Sequence, residues 1–137
     1  MTTDISRPLP AQDSPAPAHA PWAARSLAVI GAVHVAMTPL LYGDAVSGIV
    51  RGGVIGQVDA DPALLDERSA AFWYATAGLA ALLLAAHVRD LERRGPLPAH
   101  VSLGLVGLTV WGVALVPVSG FWAFTVPAAI AWRRRRR

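Results

Sequence analysis

The sequence predicts an all-α protein: a four-helix transmembrane bundle with both termini cytoplasmic and a disordered N-terminal tail. Three observations predict it. Charged residues are 15% of the 137-residue chain and hydrophobic residues 54%, whereas an ordinary soluble domain is about one-quarter charged. The mean hydropathy is +0.44. The charges that do occur lie at the two ends or in two gaps between apolar runs. The length suits one domain and not two.

Residues 1–22, MTTDISRPLPAQDSPAPAHAPW, hold five prolines and no apolar periodicity, which predicts a disordered tail with a solvated His19. The first apolar run, Ser26–Tyr42, is about 26 Å long as a helix, the lower limit for a bilayer span. A signal peptide is the competing reading, with Ala45-Val46-Ser47 as a cleavage-like site. Asp4 and Asp13 offset Arg7 and Arg25, so no basic n-region precedes the run, and a retained helix is favoured. In the polar gap 43–68, Val46, Ile49, Val50, Val54 and Val58 recur at near-helical spacing. The glycines at 48, 52, 53 and 56 weaken that helix by up to about 1 kcal/mol each. A short interfacial or re-entrant segment and a loop packed on the membrane surface both fit residues 44–58. Asp59-Ala60-Asp61-Pro62 is a helix start signal.

The second run, Ala70–Val88, gives about 28 Å of uncharged helix. Gly95, Pro96 and Pro98 in RDLERRGPLP stop it. The third run is 99–118. Pro117, Ser119 and Gly120 then make a tight turn into the fourth, 119–132, whose apolar part from Phe121 to Trp132 is short at about 18 Å. Arginine snorkelling completes that crossing. One long helix through the third and fourth runs would contain Pro117, Gly120 and Pro127, so a hairpin is favoured. The membrane domain therefore covers 23–133, with an arginine tail over 133–137.

With four spans, Arg25, Arg89, Arg93, Arg94 and Arg133 to Arg137 share one side. Asp44, Asp59, Asp61, Asp66 and Glu67 share the other, with Arg51 and Arg68. Basic residues favour the cytoplasm, so the chain is expected in the cell membrane as a multi-pass protein with both termini inside. Trp22 and Trp132 fall at the inner interface; Tyr42, Phe72, Trp73, Tyr74, Phe121 and Trp122 fall at the outer one, where amphipathic rings concentrate. The basic residues, 12 in all, are every one arginine, and alanine is abundant. That is the codon usage of a GC-rich genome and carries no function. The terminal arginines follow an apolar helix directly, which makes them a topology anchor and not a nucleic-acid site.

His34 is the residue singled out. It lies about 13 Å into the membrane from the inner end, and an ionisable group at such depth is a functional candidate by default. The commoner role for a lone histidine is a neutral hydrogen bond to a neighbouring helix. Thr38 follows one turn later on the same face. Thr76, Thr109, the Trp111 indole and Thr125 reach similar depth. His34, Thr38, Thr76, Thr109 and Trp111 are therefore the candidate ligand-binding residues, with His34 expected beside Trp111 or Thr109. Interhelical hydrogen bonds that only hold the bundle together are the competing account, at about 0.6 kcal/mol each. His87 and His100 flank the basic loop, too far from His34 to share a metal, and are read as interfacial. Asp61, Asp66, Glu67 and Arg68 are the second candidate, for a cation or polar ligand, with a solvated helix end favoured by the helix dipole as the preferred reading. Gly31, Gly78, Gly104, Gly107 and Gly112 let helices approach closely. No cysteine occurs, which excludes disulfides and thiolate chemistry. No metal site, cofactor or catalytic set is expected.

At AAFWYATAG (70–78), RDLERRGPLP (89–98) and PVSGFW (117–122) the chain resembles a domain-of-unknown-function family of small bacterial membrane proteins with four predicted helices. Members resemble it also in a first-helix histidine, which corresponds to His34. The resemblance covers about residues 25–133. It implies the architecture and no activity.

Three function classes remain. A small structural or accessory membrane subunit ranks first, with the lipid bilayer and a second copy or another membrane protein as partners. A ligand-binding or transport module with a protonatable His34 is the alternative. A membrane enzyme ranks last, because the spans lack a paired acid and base or a metal-ligand set.

Overall fold

The computed structural model describes residues 20–135, so all but the last three residues of the tail predicted over 1–22 lie outside the described residues, as do Arg136 and Arg137. The described chain is all-helical, with no strand. It comprises α1 (Trp22–Leu41), α2 (Gly43–Arg51), α3 (Leu65–Arg94), α4 (Ala99–Leu115) and α5 (Thr125–Arg135). The 3-10 turns Pro62–Leu64 and Gly120–Phe124 lead into α3 and α5. Five α-helices thus stand where four spans are predicted, and α2 is the additional one.

Helix α1 begins four residues ahead of the predicted Ser26. Its first free N–H groups find a partner that lies far away in sequence: the Glu92 carboxylate accepts from Ala23 N at 3.3 Å and from Ala24 N at 3.0 Å. This satisfies donors that a helix start otherwise leaves bare. Near its other end Pro39 has no N–H to give the Val35 carbonyl, and the helix stops at Leu41. Tyr42 turns the chain straight into α2. Asp44 in the first turn of α2 and Arg51 in its last turn both complement the helix dipole. The periodic pattern then breaks: Gly53 (φ +92°), Val54 (φ +69°) and Gly56 (φ +69°) enter the left-handed region. Only the first half of residues 44–58 is therefore helical.

The Asp-Pro signal acts as predicted. Asp61 accepts from Ala63 N at 2.9 Å with Pro62 at the first helical position. Helix α3 continues past Val88 through RDLERR, and Gly95 (φ +152°) ends it. Ser119 Oγ accepts from Phe121 N at 3.3 Å and opens the Gly120–Phe124 turn. The predicted span 119–132 is thus a 3-10 turn followed by α5, with Pro127 in the first turn of α5, where its missing N–H costs nothing. Helices α4 and α5 form the expected hairpin: Ser102 Oγ, near the start of α4, donates to Ala131 O, near the end of α5, at 3.3 Å.

Helix α1 packs lengthwise on α3, α5 packs on both α1 and α4, and the backbones of α3 and α4 stay farther apart. The core sits at the end where α1 begins and α3 finishes, around Leu27, Val88, Leu97, Leu105, Phe124 and Ala131. That end also carries Arg25, Arg89, Arg93, Arg94 and Arg133. The acidic residues Asp44, Asp59, Asp61, Asp66 and Glu67 lie at the other. Many of the buried residues are small, while Val29, Val33, Leu79, Leu83, Leu103, Val110 and Leu115 stand exposed. Two helical stretches, Trp22–Leu41 and Pro62–Arg94, are long and apolar enough to cross a membrane; Ala99–Leu115 is apolar but shorter.

Candidate functional site

Because α3 and α4 part while both remain tied to the α1–α5 pair, a seam stays open between them. A cavity of ≈ 610 Å³ occupies it, within the range of small-molecule sites. Ile30 and His34 of α1 reach it, as do Tyr74 and Ala81 of α3. Leu108 of α4, with Phe121 and Phe124 of the 3-10 turn, completes the wall. The α3 side is shallow because alanines at 77, 80 and 81 follow Tyr74 on the lining face. Gly112 makes room on the α4 side: a Cβ there would meet the Phe121 ring.

His34 is half-buried at this cavity and held in two ways. Its ring stacks on Tyr74, with centroids 4.6 Å apart and planes at 21°. Tyr74 in turn meets Tyr42 at 5.7 Å, so the corner between α1 and α2 closes over the stack. His34 Nδ1 donates to the Ile30 carbonyl at 3.0 Å. A carbonyl only accepts, so the proton of the neutral ring sits on Nδ1 and Nε2 carries a lone pair. Nε2 makes no hydrogen bond among the described residues. The cavity therefore pairs an apolar, aromatic wall with one basic nitrogen acceptor.

The five residues singled out by sequence have different surroundings. Thr38 is buried one turn beyond His34, and its Oγ1 donates to the His34 carbonyl at 2.8 Å. Thr109 is buried in α4, and its Oγ1 donates to Leu105 O at 2.7 Å. Both hydroxyls spend their proton on the preceding turn of their own helix, the usual recourse of threonine in an apolar setting. Thr76 is half-buried on α3, and Trp111 is 65% exposed. The ring beside His34 is that of Tyr74, and Leu108 is the α4 residue lining the cavity. Tyr74 is reachable from sequence only through its place in AAFWYATAG, where it reads as an interfacial aromatic.

One charged residue, Glu92, stands outside the sequence expectations, and a second, Arg68, departs from the solvated helix end expected of it. Glu92 is buried and caps α1. Arg68 is 9% exposed, unlike the solvated Asp61, Asp66 and Glu67 beside it. Its Nη1 donates to Gln57 O at 2.6 Å, and its guanidinium lies against Gly48 of α2. Among the described residues no three His, Asp or Glu side chains gather into a metal site.

The described residues form an all-helical fold with many exposed large apolar side chains and a histidine-bearing seam. Residues 18–137 match the profile of DUF6463, a family of unknown function, and the chain belongs to that family. The match extends beyond the 25–133 stretch that carries the sequence resemblance. No curated protein and no solved structure matches the chain.

Proposed function

We propose that the chain is an integral membrane protein that binds a small apolar molecule in the seam between α3 and α4, through one hydroxyl or N–H donated to His34 Nε2. The binding rests on one observation: the 610 Å³ cavity is apolar except for a few groups, and among these His34 is fixed in a single tautomer by Ile30 with its other nitrogen unused. Support for the membrane comes from what the helices leave uncovered. Only 28% of the apolar stretch in α1 and 22% of that in α3 are buried. Water would not tolerate such a face, and lipid requires no cover for it. The separation of arginine and carboxylate ends supports cytoplasmic termini.

Resistance to carbonate extraction tests the membrane reading. The chain has no cysteine, so single Ser47→Cys and Ala99→Cys variants report sidedness by impermeant labelling, with Ser47→Cys labelled from outside. Native mass spectrometry of the chain purified in mild detergent tests the site. The wild type carries a small-molecule adduct; His34→Leu loses it while keeping its thermal midpoint. An adduct unchanged in His34→Leu, or none on the wild type, overturns ligand binding.

A structural or accessory subunit is the second reading, favoured by the backbone separation of α3 and α4. That opening also suits a partner helix. A protein recovered in stoichiometric amount with both wild type and His34→Leu would decide for it.

A further inference from the structure

A second cavity lies at the arginine end, on the groove between α1 and α3, with a volume of ≈ 390 Å³. Its α3 wall is Leu82, Ala85, Ala86 and Arg89, spaced i, i+3, i+4, i+7 and so on one helix face. Its α1 wall includes Arg25 and Ala28. The helices run antiparallel, so both arginines stand at the mouth while alanines line the trough. The trough runs about 10 Å from Arg89 to Leu82. It closes where α1 and α3 come into backbone contact: a Cβ on Gly31 would lie 2.9 Å from the Leu82 backbone N.

The mouth is cationic, and among the described residues its charge has no carboxylate partner. The Arg25 guanidinium sits over the Trp22 ring, 5.1 Å from the centroid, which fixes its position without neutralising it. Neither Arg25 nor Arg89 forms an ion pair with a carboxylate among the described residues. The buried acid at this end, Glu92, accepts from the N–H groups of Ala23 and Ala24.

We propose that this groove binds one anionic phospholipid, with its phosphate between Arg25 and Arg89 and an acyl chain along Ala28, Ala85 and Ala86 toward Leu82. The assignment rests on the membrane reading above and is independent of His34. Guanidinium groups bind phosphate through paired N–H donors, and anionic lipid is concentrated in the leaflet that faces basic loops. A free phosphate satisfies the mouth but leaves the apolar trough empty. A zwitterionic lipid fills the trough but brings a cation to two arginines.

The test is native mass spectrometry of the full chain in neutral detergent, with phosphatidylglycerol or phosphatidylcholine added at equal concentration. The wild type prefers phosphatidylglycerol by about tenfold or more. Arg25→Gln/Arg89→Gln abolishes the preference. Arg93→Gln/Arg94→Gln, at the same end but outside the groove, retains it within about twofold. Ala28→Leu/Ala86→Leu fills the trough and loses the lipid with both arginines in place. Competition by inorganic phosphate, or full binding by the trough-filled variant, identifies a phosphate site alone and overturns the proposal. So does equal loss in the two arginine pairs, which means diffuse charge. A chain that resists carbonate but shows no preference overturns this inference and leaves the membrane reading standing; a chain released by carbonate overturns both.

Discussion

The Glu92 carboxylate, at the end of α3, accepts the backbone N–H of Ala24, in the first turn of α1, at 3.0 Å. The two residues are 68 apart in sequence. Ala23 and Ala24 are themselves almost fully buried, so water cannot replace the acceptor. Glu92→Ala is expected to cost about 2–3 kcal/mol, a lost cap plus unsatisfied buried donors. Glu92→Gln keeps an acceptor and is expected to cost about 1 kcal/mol. Equilibrium unfolding in detergent reads both, and equal stability of Glu92→Ala and the wild type would contradict the capping role.

Gly31 and Gly78 set the distance between α1 and α3. A Cβ on Gly31 would lie 2.7 Å from the Gly78 carbonyl oxygen, and one on Gly78 would lie 2.8 Å from His34 Cβ. Two of these atoms belong to backbone or its first side-chain atom and cannot swing aside. Gly31→Ala and Gly78→Ala are each expected to cost about 1–3 kcal/mol by forcing the helices apart. Gly104 is the control: a Cβ there meets nothing within 4 Å, so Gly104→Ala is expected to be neutral or to stabilise by up to about 1 kcal/mol through helix propensity. Thermal midpoints of the three variants check the ordering.

Much of the fold is legible in the sequence because its punctuation is local. Asp61-Pro62 starts α3 and Ser119-Gly120 turns the hairpin through side chains within two residues of the groups they serve. Glu92 illustrates what is not legible. It reads as one charge of a polar loop, and only the antiparallel pairing of α1 and α3 brings it to Ala24. The glycines divide in the same way: Gly31, Gly78 and Gly112 lie at close approaches, while Gly104 and Gly107 meet open space. Nothing in their sequence neighbourhood separates the two sets. For the site, helix depth singles out His34 but gives no azimuth. The stack on Tyr74 depends on how α1 and α3 are rotated about their axes, which spacing along one helix does not report. For the threonines, spacing does not report that Thr38 and Thr109 donate to carbonyls of their own helices.

Arg68 ties the loop after α2 to the start of α3 through its hydrogen bond to Gln57 O at 2.6 Å. The loop needs such a tie, because Val54 holds φ at +69°, a conformation that costs a β-branched residue about 1–3 kcal/mol. Arg68→Met removes the donor and keeps most of the stem's packing. The expected result is faster amide exchange and faster proteolysis across residues 52–58, with exchange in α1 and α3 unchanged. Val54→Asn relieves the strain and is expected to slow exchange in the same segment by a few-fold, corresponding to about 1 kcal/mol. Uniform change across the chain in Arg68→Met would mean that the arginine supports the whole fold and not the loop.

The Phe121 ring rests over Gly112, in the space a side chain would take. It forms the wall of the seam opposite the alanines of α3. Gly112→Val therefore displaces the ring, and the open side available to it is the cavity itself. The variant is expected to remain folded at a cost of about 1–3 kcal/mol and to lose the adduct expected on the wild type. Adding Phe121→Ala to Gly112→Val removes the displaced ring, reopens the cavity and restores the adduct in part. Loss in the single variant with recovery in the double places the ligand between Phe121 and the His34–Tyr74 stack. Loss in both at the same thermal midpoint means instead that the Phe121 ring itself contacts the ligand.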